Sequence, residues 1–136
     1  MGKDDVRHLL EGVHVLLADD DRSFGEMVAI ALDFAGARVT RVASAKEALA
    51  RLADGDVDVL VSDLSMPQED GLWLINEVRR GASAPSVPAV LVTGYGSDHY
   101  RTRAGTEGYN LYVEKPFDVW EFCEKVYKLL RQSSRR

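Results

Sequence analysis

Two rhythms of apolar residues alternate along the chain. The first is the short uninterrupted run, the mark of a strand buried on both faces. It occurs at Val13 to Ala18, at Val57 to Ser62, where no charge follows Asp58, and at Ala89 to Thr93, and more briefly at Leu111-Tyr112-Val113. Arg38 to Ala43 is a weaker strand, with Val39 and Val42 set among polar residues. The second rhythm is the three-to-four spacing that gathers side chains on one helix face. From Ser23 to Ala35 it collects Phe24, Met27, Val28, Ala31 and Phe34, and Gly36 stops it. Ser44 and Glu47 form a capping-box pattern ahead of Ala45, Ala48, Leu49 and Leu52. Leu72, Ile75 and Val78 mark a helix over Gly71 to Arg80. Asp118 can cap a last helix whose stripe is Val119, Phe122, Cys123, Val126, Leu129 and Leu130. Gly94 to Gly108 is the least regular stretch. Only Tyr100 and Ala104 could anchor a helix there, so a short or mobile fourth helix with weakly protected amides is expected.

Five strands alternating with helices at short spacing predict an α/β fold: a parallel sheet covered by helices on both faces. A chain of 136 residues suits one domain. The expected organisation is an N-terminal extension over 1–12, the domain over 13–131, and a polar, basic tail over 132–136.

Composition narrows the function classes. A net charge of −5, from 22 acidic and 17 basic residues, lacks the basic surplus of a nucleic-acid binder, so no direct nucleic-acid partner is expected. The single cysteine, Cys123, cannot form an internal disulfide. On the apolar stripe it reads as a small buried hydrophobe rather than a nucleophile. No apolar run approaches the roughly 18 residues of a membrane span. Met1 to Gly12 carries too many charges for a signal peptide. The expected setting is therefore the cytoplasm, with no membrane partner.

Open parallel sheets bind ligands beyond the carboxyl ends of their strands. The residues there are Asp19 and Asp20 after the first strand, Asp63 after the third, Thr93 ending the fourth and Lys115 after the fifth. Clustered carboxylates repel one another, and a hard divalent cation relieves that repulsion. Mg²⁺ suits such a site, because it takes oxygen ligands and is commonly shared between one or two carboxylates and a phosphate. Lys115 and Thr93 offer a point charge and a hydroxyl donor to the remaining phosphoryl oxygens. A carboxylate can itself be a nucleophile, giving an aspartyl-phosphate. Asp63 stands alone at the end of the central strand and fits that role. The adjacent Asp19 and Asp20 suit a metal-holding pair. Asp21 reads as a helix-start residue.

Five segments carry a resemblance to the response-regulator receiver domains of two-component signalling. They are Val15-Leu16-Leu17-Ala18-Asp19-Asp20-Asp21, Val59-Leu60-Val61-Ser62-Asp63-Leu64-Ser65-Met66-Pro67, Gly71, Val90-Leu91-Val92-Thr93-Gly94 and Lys115-Pro116-Phe117. The resemblance covers about residues 13 to 131. It implies a flavodoxin-like (βα)5 fold with sheet order 2-1-3-4-5. It implies Mg²⁺ bound directly by Asp20, largely through water by Asp19, and by Asp63 and the Ser65 carbonyl. Asp63 would be phosphorylated, Thr93 and Lys115 would contact the phosphoryl group, and Lys115 would precede a cis peptide. Thr93 and Tyr112 would act as the switch, remodelling the face made by the fourth helix, fifth strand and fifth helix of the repeat.

The implied role is a phosphorelay switch and not an enzyme. Its donor would be a sensor histidine kinase or histidine phosphotransfer domain, and its output a protein target. The chain would be a single-domain regulator or a receiver excised from a hybrid kinase. Two rivals differ in class. A phosphohydrolase using an aspartyl-phosphate would place a second acid two residues after the nucleophile, where Ser65 stands. A receiver-like interaction module that takes no phosphate would be expected to have lost one of Asp19, Asp20, Asp63, Thr93 and Lys115. Ser65 and Tyr95 occupy positions that tune phosphoryl lifetime in the family, and Tyr109 stands where a small residue is more usual.

Overall fold

The computed structural model describes residues 2–94 and 98–133. A short helix α1 (Lys3–Val6) precedes β1 (His14–Ala18), α2 (Arg22–Phe34), β2 (Arg38–Val42), α3 (Ala45–Leu52) and β3 (Val59–Asp63). Then come α4 (Gly71–Arg80), β4 (Ala89–Thr93), α5 (Asp98–Glu107), β5 (Leu111–Glu114) and α6 (Val119–Ser133). The fourth and fifth helices of the repeat are thus α5 and α6. Tyr95 lies outside the described residues, as do positions 134–136 of the expected tail; α6 continues into that tail as far as Ser133.

All strand pairs are parallel, in the order β2-β1-β3-β4-β5. This is the expected doubly wound arrangement, with β1 and β3 side by side and Ala18 level with Ser62. Successive residues of the central strands feed opposite faces. Val15, Leu17, Val59, Val61, Val90 and Val92 pack under α2 and α6. Leu16, Leu60 and Leu91 pack under α3 and α4. Edge strand β2 has no fully buried residue, which explains its weaker apolar signal.

Local caps follow the sequence. Asp21, Ser44, Asp70 and Asp118 accept from amides of the first turns of α2, α3, α4 and α6. Glu47 reaches back one residue farther than in the usual capping box, to the Ala43 amide at 3.0 Å.

Three elements differ from expectation. Met27 does not join the buried face of α2: it is 46% exposed, and Ile30 is 61% exposed. The packing ridge runs instead through Gly25, Val28, Ala31 and Leu32, small and branched residues that let α2 lie close to the sheet. Nor is α5 short, since it runs for ten residues. Ala104 is its one fully buried residue, and polar contacts hold it otherwise. Asn76 donates to Glu107 at 2.7 Å, Arg103 pairs with Glu107, and Arg101 pairs with Glu114.

Finally, the segment ahead of β1 packs on the domain. Val6 and Leu10 are fully buried in the α2–α6 core. The Leu10 amide donates to the Ala35 carbonyl at 2.7 Å. Gly36, at φ +98°, makes room for this approach, because a Cβ there would lie 2.6 Å from Glu11 Cγ. Lys3 and Arg7 sit over the Phe34 ring.

Candidate functional site

The sheet order makes the site. Because β1 and β3 are neighbours, the acids that end them meet at one edge. Carboxylate oxygens of Asp19, Asp20 and Asp63 lie within 4.8 Å of one another. Asp19 and Asp63 are buried and Asp20 is exposed, so the cluster opens to solvent on the Asp20 side. A cleft of about 310 Å³ runs from there past Arg22, Arg41 and Glu47.

Lys115 closes the other side. Its Nζ lies 3.3 Å from Asp63 Oδ2 and 3.5 Å from Asp19 Oδ2, so one ammonium is shared by two carboxylates. It reaches this position from the end of β5, where its amide donates to the Thr93 carbonyl at 2.8 Å and its bond to Pro116 is cis. Beneath it the Phe24 ring centroid is 3.9 Å from Nζ. That contact supports the ammonium from an apolar side without competing for the carboxylates. Phe24 meets Phe117 edge-on, and Phe117 stacks on Phe122.

Burial pushes the carboxyls of both Asp63 and Asp19 above the usual carboxylate range. For Asp63 the opposing influences are Lys115 and the backbone amides of Leu64 and Ser65. For Asp19 the Asp21 amide, donating at 2.8 Å, and Lys115 oppose the rise, while the nearby Asp63 charge adds to it. Desolvation outweighs the single lysine, which leaves the pocket short of positive charge. The donor set is all hard oxygen, which fits a cation of the magnesium type and not a thiolate- or imidazole-seeking metal.

The remaining expected residues are placed as follows. Thr93 is fully buried at the end of β4, one strand away from Asp63 and joined to Lys115 through the backbone. Ser65 is exposed in the loop after β3. Tyr112 is half-buried on β5 under the Arg101 guanidinium, 4.9 Å from its ring centroid, and Arg101 is paired with Glu114 at 3.0 Å. Cys123 is buried behind the site, where desolvation pushes its thiol up to about 11 and leaves it unsuited to nucleophilic chemistry.

Three site features were not read from the sequence. Phe24 as the platform for Lys115 was assigned only to the helix core. Arg41, whose guanidinium lies against Gly25, carries no signal in the sequence beyond its place among the polar residues of the second strand. Tyr109 reads from the sequence only as unusually large for its place, yet it is buried and its hydroxyl donates to the Gly71 carbonyl at 2.7 Å.

Comparison with known proteins agrees with this geometry. The family model of the response regulator receiver domain matches residues 15–127. An uncharacterized 14.6 kDa protein of Leptolyngbya boryana is 36% identical over 117 residues, covering 86% of this chain and 89% of that protein. The transcriptional regulator RpaA of Synechocystis is 29% identical, and this chain spans only about half of its length. Among solved structures, the chemotaxis protein CheY4 of Vibrio cholerae is 27% identical with a TM-score of 0.81, covering 86% of this chain and 98% of that one. A CheY-like receiver from Methanospirillum hungatei superposes with a TM-score of 0.84 at 24% identity. Receiver domains are signalling switches that generally hold Mg²⁺ in an acidic pocket of this kind. With its five parallel strands in order 2-1-3-4-5 and its acids at the carboxyl edge, the chain belongs to the response regulator receiver domain family.

Proposed function

We propose that this chain is a phosphorylation switch that accepts a phosphoryl group on Asp63 from a phosphohistidine of a sensor kinase or phosphotransfer domain. The observation that carries this reading is Lys115, held within 3.5 Å of both Asp63 and Asp19 beside an open cluster of three carboxylates. In the transfer, an Asp63 carboxylate oxygen attacks phosphorus. The phosphorus–nitrogen bond of the donor imidazole breaks, and the imidazole leaves with its electron pair and takes up a proton. Lys115 binds one phosphoryl oxygen and the Thr93 hydroxyl another. Asp19, Asp20, Asp63 and the Ser65 carbonyl are the residues that would hold Mg²⁺, whose contribution there is to neutralise the charge crowding the acceptor. Phe24 keeps Lys115 aimed at the acceptor.

Signalling then follows a population shift between two states of the face made by α5, β5 and α6. Tyr112 lies on that face beneath Arg101, and Thr93 ends the neighbouring strand. A protein target would read the difference. The test is intact mass after incubation with acetyl phosphate and Mg²⁺, beside Asp63→Asn and a metal-free control. Gain of one phosphoryl group by the wild type alone is expected. If neither that label nor a beryllofluoride adduct forms, the chain is an interaction module that takes no phosphate.

A further inference from the structure

The buried phenol of Tyr109 is the feature the proposed reaction leaves unused, and it touches the acceptor loop from behind. Its backbone is fixed from two sides. The Tyr109 amide donates to the Ala104 carbonyl at the end of α5, at 2.8 Å. Arg79 of α4 donates twice to the Gly108 carbonyl, at 3.0 and 2.6 Å, and also to Asn110 Oδ1 at 3.1 Å. From this anchored start the ring crosses the α4 side of the sheet, and its hydroxyl meets the Gly71 carbonyl. That bond joins the end of β5's lead-in to the first residue of α4 across 38 residues of sequence.

Gly71 is the hinge point of the acceptor loop. Its amide donates to the Leu64 carbonyl at 2.8 Å. Its α-carbon lies so close to the acceptor's backbone that a Cβ would come 2.5 Å from the Asp63 carbonyl oxygen. Ser62 Oγ donates to that same oxygen at 2.9 Å. The phenol therefore holds, through Gly71, the backbone on which Asp63, Leu64 and Ser65 stand. A packed ring without the hydroxyl would fill the space and leave the Gly71 carbonyl without this bond.

We propose that Tyr109 is a positioning residue for phosphoryl transfer: its hydroxyl fixes Gly71 and thereby the Asp63–Ser65 turn that presents the acceptor carboxylate. This rests on the reading of Asp63 as phosphoacceptor. Tyr109 touches neither the phosphoryl group nor a carboxylate of the cluster; it acts through Gly71.

The test compares wild type, Tyr109→Phe and Val126→Ala, a core truncation in α6. Each is assayed for labelling by acetyl phosphate, for the Mg²⁺ concentration at half-maximal rate, and for amide hydrogen exchange of residues 64–71 without metal. In Tyr109→Phe the labelling rate is expected to fall roughly fivefold, the equivalent of the net hydrogen bond of about 1 kcal/mol that is removed. Half-saturating Mg²⁺ should rise, and the Leu64 to Gly71 amides should exchange faster. Val126→Ala should lower the melting temperature more and move none of these three. Wild-type values for Tyr109→Phe in rate, Mg²⁺ dependence and exchange would overturn the proposal and reduce the phenol to packing. Equal changes in both variants would overturn it too, by assigning them to lost stability. A wild type that takes no phosphoryl group would overturn the parent reading, and this one with it.

Discussion

Replacing Gly71 by alanine asks how tightly the acceptor is framed. At this position the backbone conformation is ordinary for any residue, so the penalty is steric alone. The new methyl would lie 2.5 Å from the Asp63 carbonyl oxygen, about 0.9 Å inside ordinary contact, and 3.2 Å from Leu64 Cα. Both are backbone atoms in a fully buried stretch and cannot rotate away; the Leu91 methyl at 3.0 Å can yield only slightly. Forcing one carbon into such a site costs about 2 kcal/mol. In a domain of this size that is a fall of roughly 6–8 °C in melting temperature. The displaced atom is the acceptor's own carbonyl, and misplacements approaching 1 Å can cost up to ~100-fold in rate, so labelling of Asp63 should fall at least about tenfold. Gly105→Ala is the control. It sits within α5 with nothing within 4 Å of the added methyl, and should stabilise by about 0.5–1 kcal/mol with no loss of labelling. Thermal melts and acetyl phosphate labelling of the two variants decide the matter. If Gly71→Ala melts and labels like the wild type, the loop has slack and the framing argument is wrong.

Other expectations follow from charge and burial. The Asp63 carboxyl is raised in the folded state, so its ionisation opposes folding once the pH climbs past the ordinary carboxylate range. Metal-free Asp63→Asn should therefore melt higher than wild type at neutral pH, and the gap should close in acid; a lower melting point at pH 7 would contradict this. Asp56 is held down to about 2, chiefly by its hydrogen bond from Arg51, with Arg38 assisting. Its contribution is present above the ordinary carboxylate value and lost as pH falls from about 4 towards 2. Denaturant midpoints of wild type and Asp56→Asn should converge over that window, and a constant difference would show that the pairing is not what matters. Helix α5 buries only Ala104, whereas α4 buries five residues. Amides of α5 should exchange well ahead of those of α4, and equal protection would sink that reasoning.

Most of the fold could be read because this architecture writes itself in periodicity. Runs such as Val59 to Ser62 and Ala89 to Val92 have no polar face, so they had to be interior strands. The strand-end rule then gathers Asp19, Asp20, Asp63 and Lys115 at one edge from the sequence alone. What stayed hidden depended on angles rather than on residue type. Met27 and Val28 are equally apolar neighbours, and only the tilt of α2 on the sheet decides which is inside. The partner of Tyr109 lies 38 residues away, and no local pattern reports a bond of that span. The cation–π support of Lys115 by Phe24 is equally nonlocal. The α5 segment was underrated because its anchors are ion pairs and amide contacts, which leave no apolar stripe to read.

The helix and turn ahead of β1 bear on how portable the domain is. The match to the receiver family model starts at residue 15, but the buried surface starts at Val6. Val6 and Leu10 are each fully enclosed, and burying side chains of that size contributes about 1.5–3 kcal/mol apiece. Against a total stability of about 5–15 kcal/mol, that is a large share to leave behind. A chimera joined at residue 13 would expose Ala35 and the face of Phe34 that Lys3 and Arg7 now cover. Grafts of this switch into other chains should carry residues 2–12 with them, and a fused partner should leave Ala35 and the Phe34 ring free for that strap to cover.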